Sequence, residues 1–242
     1  PRARGAAAAG AGRGTGEDGM SRRRMGEAAA MSPAFAETVA IDGRCFAYVF
    51  PCAWEDHCKI GFSADPLGRI SALHPRWFGF FDLEGGMLVE AESIRDARDL
   101  ELELRARLYE YNAPAPLAIR VPAGGHTEWF RGVSALLAER VATLGARGYR
   151  TYRLRDWLHV ALEQRADRLH EWTLAQLSVD ELEGLAGPTP AQQRVRDALD
   201  ACSALGVGLE PRLAPSVLAW YRGPGCGSRA VAGSQAAGGG DI

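Results

Sequence analysis

Lysine is almost absent from this chain. Of its 28 basic residues a single one, Lys59, is not arginine. Long apolar runs are missing too: no stretch reaches the roughly 18 residues that a membrane span needs, and the N-terminal alanines are broken by Gly and Arg. Neither a membrane anchor nor a secretion signal is expected. There is no excess of positive charge, since the net charge is −2 and the pI about 6.3. A global basic field that would attract nucleic acid regardless of sequence is therefore excluded, and any DNA contact has to be local. Cysteine is sparse, five in all, odd in number and without a Cys-x-x-Cys pair. That pattern fits reduced thiols in a cytoplasmic protein. Cys45, Cys52, His57 and Cys58 suggest a zinc cluster at a glance, but their spacing runs along a hairpin and does not fit structural zinc.

What is present is enough for a core: 242 residues, 47% of them hydrophobic. Residues 1–40 read as a disordered leader, the first thirty rich in Ala, Gly and Arg without periodicity, with Met20, Met25 and Met31 as alternative starts. From Cys45 the texture turns aromatic and β-rich. "CFAYVF" and "HCKIGFS" predict a hairpin, and "DPLGRISAL" predicts a helix with Ser63 or Asp65 as its cap and Pro66 in the first turn. "RWFGFFDLEGGMLVEAES" reads as strand, turn and strand, or as one bent strand. "IRDARDLELELRARLYEY" predicts the clearest helix, with Ile94, Ala97, Leu100, Leu104, Leu108 and Tyr111 on one face. Beyond Arg131 the pattern is helical. It includes one long amphipathic stretch, "LRDWLHVALEQRADRLHEWTLAQL", and two capping boxes, Ser178 with Glu181 and Thr189 with Gln192. The final residues, 223–242, form a Gly-rich tail. No internal repeat is found.

The expected architecture is α+β: a β-β-α-β-α domain at 43–132 with a three-stranded antiparallel sheet flanked by helices, then an all-helical extension at 133–222.

Helical geometry separates two carboxylates that look alike in the sequence. At about 100° per residue Glu101 falls within the apolar stripe, beside Leu108 and Ala97, while Glu103 faces away. A buried carboxylate needs a cation beside it, either Arg105 one turn on or a metal ion. Lys59 is unusual for its side-chain chemistry as well as its rarity. A partly desolvated amine loses its proton at workable pH, which a guanidinium does not. Gly61 marks a close backbone approach or a bulge. Trp129 and Phe130 read as core anchors, and His74 and His126 as surface or hydrogen-bonded positions.

"AYVF", "CKIGFS", "DPLGRISAL", "LELELRARL" and "HTEWFRG", in this order over residues 44–131, resemble the GIY-YIG nuclease superfamily, in particular its small phage and bacterial branch with Lys-Ile-Gly as the second motif. The resemblance implies a DNA endonuclease that hydrolyses a phosphodiester with Mg²⁺ or Mn²⁺. Tyr48 and Lys59 would activate the attacking water, Arg69 would hold the developing charge, and Glu101 would bind the metal. Against cleavage stands the charge of residues 43–131, 10 basic and 13 acidic side chains, a net of −3; residues 133–242 carry 12 of each sign. The alternative is a module of the same kind that binds nucleic acid or a protein partner without cutting, with the C-terminal helices as its contact surface.

Overall fold

The computed structural model describes residues 44–120 and 128–223. The expected leader, the expected tail beyond Gly223 and His126 lie outside the described residues. The first two strands, β1 (Cys45–Pro51) and β2 (His57–Ser63), form the expected antiparallel hairpin. Helix α1 (Pro66–Leu73) follows, capped by Asp65, whose side chain accepts from the Gly68 N–H, with Pro66 in the first turn. Of the two caps considered, Asp65 is the one used.

The expectation for residues 77–91 is corrected in its first half. Trp77–Phe80 is a short helix, α2, and only Met87–Ala91 is a strand, β3. A strand would have alternated its side chains between two faces; the helical turn instead buries Trp77 and stacks Phe80 on His74, with ring centroids 4.4 Å apart. Helix α3 (Ile94–Leu104) is capped by Ser93 and ends earlier than the apolar spacing implied. Arg107 takes a left-handed conformation, φ 61, and the chain continues as a 3₁₀ turn at Tyr109–Tyr111. Ala97, Leu100, Leu104 and Leu108 are buried, whereas Ile94 and Tyr111 at the two ends of the expected stripe are exposed.

The sheet has five strands, not three. The order is β4-β2-β1-β3-β5, antiparallel throughout, with β4 (Trp129–Arg131) on β2 and β5 (Thr151–Arg153) on β3. Each added strand is three residues long, too short for a periodic signal. Between them lies α4 (Ser134–Ala146). The long amphipathic stretch is two helices, α5 (Leu154–Ala166) and α6 (Leu169–Gln176), turning at the exposed Asp167–Arg168 pair so that Ala166 and Leu169 both enter the core. Helices α7 (Val179–Leu182) and α8 (Pro190–Ala204) start with the two capping boxes, both fully formed, and α9 (Pro215–Arg222) closes the described chain.

Alternation along the strands divides the core in two. On one face Phe46, Tyr48, Phe50, Leu88 and Trp129 pack against α1 and, through Leu158, Leu162, Leu199 and Val217, against the appended helices. On the other face Ala47, Val49, Ile60 and Val89 pack against α3 and α4. The first face carries Tyr48 and Lys59, with Arg69 on α1 above it, whereas Glu101 belongs to α3 on the other face. Among the described residues no helix is long and apolar enough to cross a membrane.

Candidate active site

Strand register builds the site. Tyr48 lies opposite Gly61, Phe50 opposite Lys59, and Lys59 opposite Trp129 on its other side, so these side chains share a face. The Tyr48 ring stacks on Phe50 at 4.1 Å between centroids. It also lies directly over Gly61: a Cβ there would stand 2.3 Å from the Tyr48 hydroxyl and 2.5 Å from Cζ. Gly61 is thus the close approach expected of it. From α1, Arg69 reaches down and donates from Nε to the Tyr48 hydroxyl at 3.0 Å. Burial raises the Tyr48 pKa above its ordinary value; Arg69 opposes this, and Glu101 and Glu128 add to it. Tyr48 is therefore a protonated phenol at neutral pH.

Lys59 is 1% exposed, an extreme position for a cation. Its Nζ donates to Glu128 Oε2 at 2.6 Å and stands 6.0 Å from the Trp129 ring. Desolvation lowers its pKa, and the bond to Glu128 works the other way. Glu128 belongs to the closing "HTEWFRG" motif, where the sequence assigns it no role. Its position was signalled in the sequence only by its place one residue before Trp129, the cross-strand neighbour of Lys59.

Glu101 points inward as the helical geometry implied, 7% exposed. Its Oε1 accepts from Arg105 Nη1 at 2.9 Å, the local ion pair weighed against a metal. Yet its charge also acts on both the Tyr48 hydroxyl and the Lys59 amine. Glu101 is carried by α3, which packs on the sheet face opposite the one that Tyr48 and Lys59 share. Tyr48 and Arg69 are in direct contact, as are Lys59 and Glu128, while Glu101 is paired with Arg105.

Among the described residues there is no group of three or more His, Cys, Asp or Glu suited to a metal ion. What the site offers such an ion is the single buried carboxylate of Glu101. That suits Mg²⁺, which keeps most of its waters and takes one or two carboxylates, and Arg105 competes for the same group. A groove of about 880 Å³ lies elsewhere, bordered by five carboxylates, Glu90, Glu92, Asp96, Asp99 and Glu103, of which Glu103 and Glu90 are paired with Arg147 and Arg150 on the same lining. His74 is held neutral, its pKa lowered chiefly by burial. Cys45, Cys52, Cys58 and Cys202 are free thiols.

Comparison with known proteins corrects the family expectation. No curated protein and no solved structure matches the chain. The family model that matches is a different one from GIY-YIG, and its span runs past the motifs, through α4, to stop before β5. Residues 46–146 are similar to the T5orf172 domain, a nuclease-like domain associated with DNA binding.

Proposed function

We propose that the chain is a divalent-metal-dependent DNA endonuclease whose site is built from Tyr48, Lys59, Arg69, Glu101 and Glu128. The observation that carries this reading is the bond from Arg69 to the Tyr48 hydroxyl, on the same sheet face as the buried Lys59 amine and its bond to Glu128. Packing alone gives no reason to bury a lysine at the centre of an aromatic sheet face, because desolvating an ammonium costs several kcal/mol. A site for phosphodiester hydrolysis does give one. The reaction accumulates negative charge on the phosphate oxygens, and fixed cations in a desolvated setting stabilise that charge far better than in water.

In this reading Arg69 supplies a permanently charged, forked donor to the phosphate, oriented by its bond to Tyr48. The protonated Tyr48 phenol donates to the attacking water or to a phosphate oxygen. Lys59 and Glu128 act as a pair: the amine keeps the carboxylate charged, and the carboxylate, partly open to solvent, accepts the proton of the nucleophilic water. Glu101 would hold the metal ion, which when bound supplies Lewis acidity at the phosphate.

A second reading, a nucleic-acid-binding module that does not cut, is favoured by the pairing of Glu101 with Arg105 and by the net charge of −3 over residues 43–131. One experiment separates the two. Purified full-length protein is incubated with supercoiled plasmid, branched DNA and single-stranded DNA, with and without Mg²⁺, beside Glu101→Ala and Arg69→Ala. Mg²⁺-dependent nicking by the wild type that both variants lose supports the endonuclease. Equal nicking by all three proteins points to a contaminant and sinks it, and gel-shift binding without nicking favours the module.

A further inference from the structure

Arg165 lies on α5, outside the family match, and is 3% exposed. Its Nη2 donates to Asp65 Oδ1 at 2.9 Å. That same Oδ1 accepts the Gly68 N–H at 3.0 Å, and the Asp65 carbonyl accepts the Arg69 N–H at 2.9 Å. A chain of contacts thus runs from a buried cation in the appended helices, through the cap of α1, to the residue whose side chain holds the Tyr48 hydroxyl. Capping alone does not require this, since Ser or Asn at position 65 would accept the Gly68 N–H equally well. Only a carboxylate also compensates a guanidinium taken out of water. The far end of α1 is tied in the same way. Arg76, just beyond it, donates from Nη1 to Asp197 and to Asp200 of α8, each at 2.9 Å. Between the two ties, Leu67 and Ile70 of α1 share one core with Leu158, Leu162 and Leu199 of the appended helices.

We propose that the appended helices are a brace for the active site, with Arg165 as a positioning residue that sets α1, and hence Arg69, against Tyr48. The α1 helix carries Arg69 on a short element of eight residues. Ionic ties at both ends restrict its sliding and rolling on the sheet. The catalytic consequence rests on the endonuclease reading; the positional one stands without it.

The test uses the full chain with ¹⁵N-labelled arginine, the Arg69 Nε–H resonance being assigned by its loss in Arg69→Lys. In Arg165→Met the exchange of that proton with solvent rises by at least about tenfold as the Tyr48 bond loosens. Nicking kcat falls by up to about 100-fold, KM changes little, and Arg165→Lys recovers part of the loss. Because Arg165→Met leaves Asp65 without its cation, the double variant Asp65→Ser/Arg165→Met, which keeps a cap and buries no lone charge, is measured beside it. Wild-type exchange at Arg69 in a folded form of either variant overturns the brace. Altered exchange with no nicking even by the wild type keeps the brace and overturns the endonuclease reading.

Discussion

Replacing Gly61 by alanine adds one methyl group at the most crowded point of the site. The added Cβ would stand 2.3 Å from the Tyr48 hydroxyl and 2.5 Å from Cζ, against an ordinary contact nearer 3.5–4.0 Å. The ring must therefore move by about an ångström, and it has no free direction, since Phe50 stacks on it and the residue is 2% exposed. Overpacking of this kind costs about 1–3 kcal/mol. If the displaced hydroxyl also leaves Arg69, a hydrogen bond to a charged group goes with it, worth about 1.5–3 kcal/mol. The two effects are coupled, so a combined loss of about 3 kcal/mol is expected, which lowers Tm by about 6–12 °C in a chain of this size. Urea unfolding at unchanged m and a thermal melt measure the stability. The nicking assay reads the site, where an ångström of displacement costs about 100-fold in rate. Pairing Gly61→Ala with Tyr48→Leu, which opens room for the methyl, should recover more than about 1 kcal/mol of the packing term. A Gly61→Ala protein as stable as the wild type, or a penalty unchanged by Tyr48→Leu, refutes the claim that the tyrosine is seated by this glycine.

Lys59→Met removes a buried cation whose partner, Glu128, remains 24% exposed and can rehydrate. Stability at neutral pH should stay within about 1 kcal/mol of the wild type, instead of falling by the 3–5 kcal/mol typical of a broken buried pair, while nicking is lost. Because the folded protein lowers the Lys59 pKa from 10.5, its contribution is fully present above that ordinary value and lost as pH falls through the folded one. The wild type should therefore gain stability relative to Lys59→Met as pH rises through that window, and parallel pH–stability curves would count against the assignment. Arg105→Met frees Glu101 Oε1, so Mg²⁺ should bind several-fold more tightly by calorimetry; unchanged affinity would mean that Glu101 is not the ligand. Burial pushes the Cys52 and Cys202 thiols up to about 12, so a thiol reagent at pH 7 should label both far more slowly in native than in urea-unfolded protein. Fast labelling of native Cys202 would contradict its place in the core.

The parts of the fold legible in the sequence are those fixed by local chemistry. Asp65 and Pro66 start α1, Ser178 with Glu181 and Thr189 with Gln192 start α7 and α8, and the apolar spacing of Ala97, Leu100 and Leu104 shows which side of α3 is buried. Glu101 follows from that spacing, and its inward direction holds. What escaped was set by distant partners. The strand β5 is three residues that are strand only because β3 offers an edge, and α2 forms where a strand pattern stood because Trp77 and Phe80 find aromatic and imidazole neighbours. The α3 helix stops at Leu104 with Arg105 as its cap, and two residues on Arg107 takes a left-handed backbone angle that no residue preference announces. Glu128 and Arg165 are missed for one reason: each is paired with a residue far off in the chain, Lys59 and Asp65, and a single sequence carries no record of such pairs.

The sheet and the appended helices share a hydrophobic interior, and β5 completes the sheet from beyond the family match. Residues 46–146 are therefore not a cassette that can be lifted out. Cut at Ala146, the piece would leave Phe46, Leu67 and Ile70 facing water and the outer edge of β3 open to pair with a stranger. Fusions or shuffled variants that carry this domain elsewhere will have to take the chain through α9, and shorter pieces should aggregate before they can be assayed.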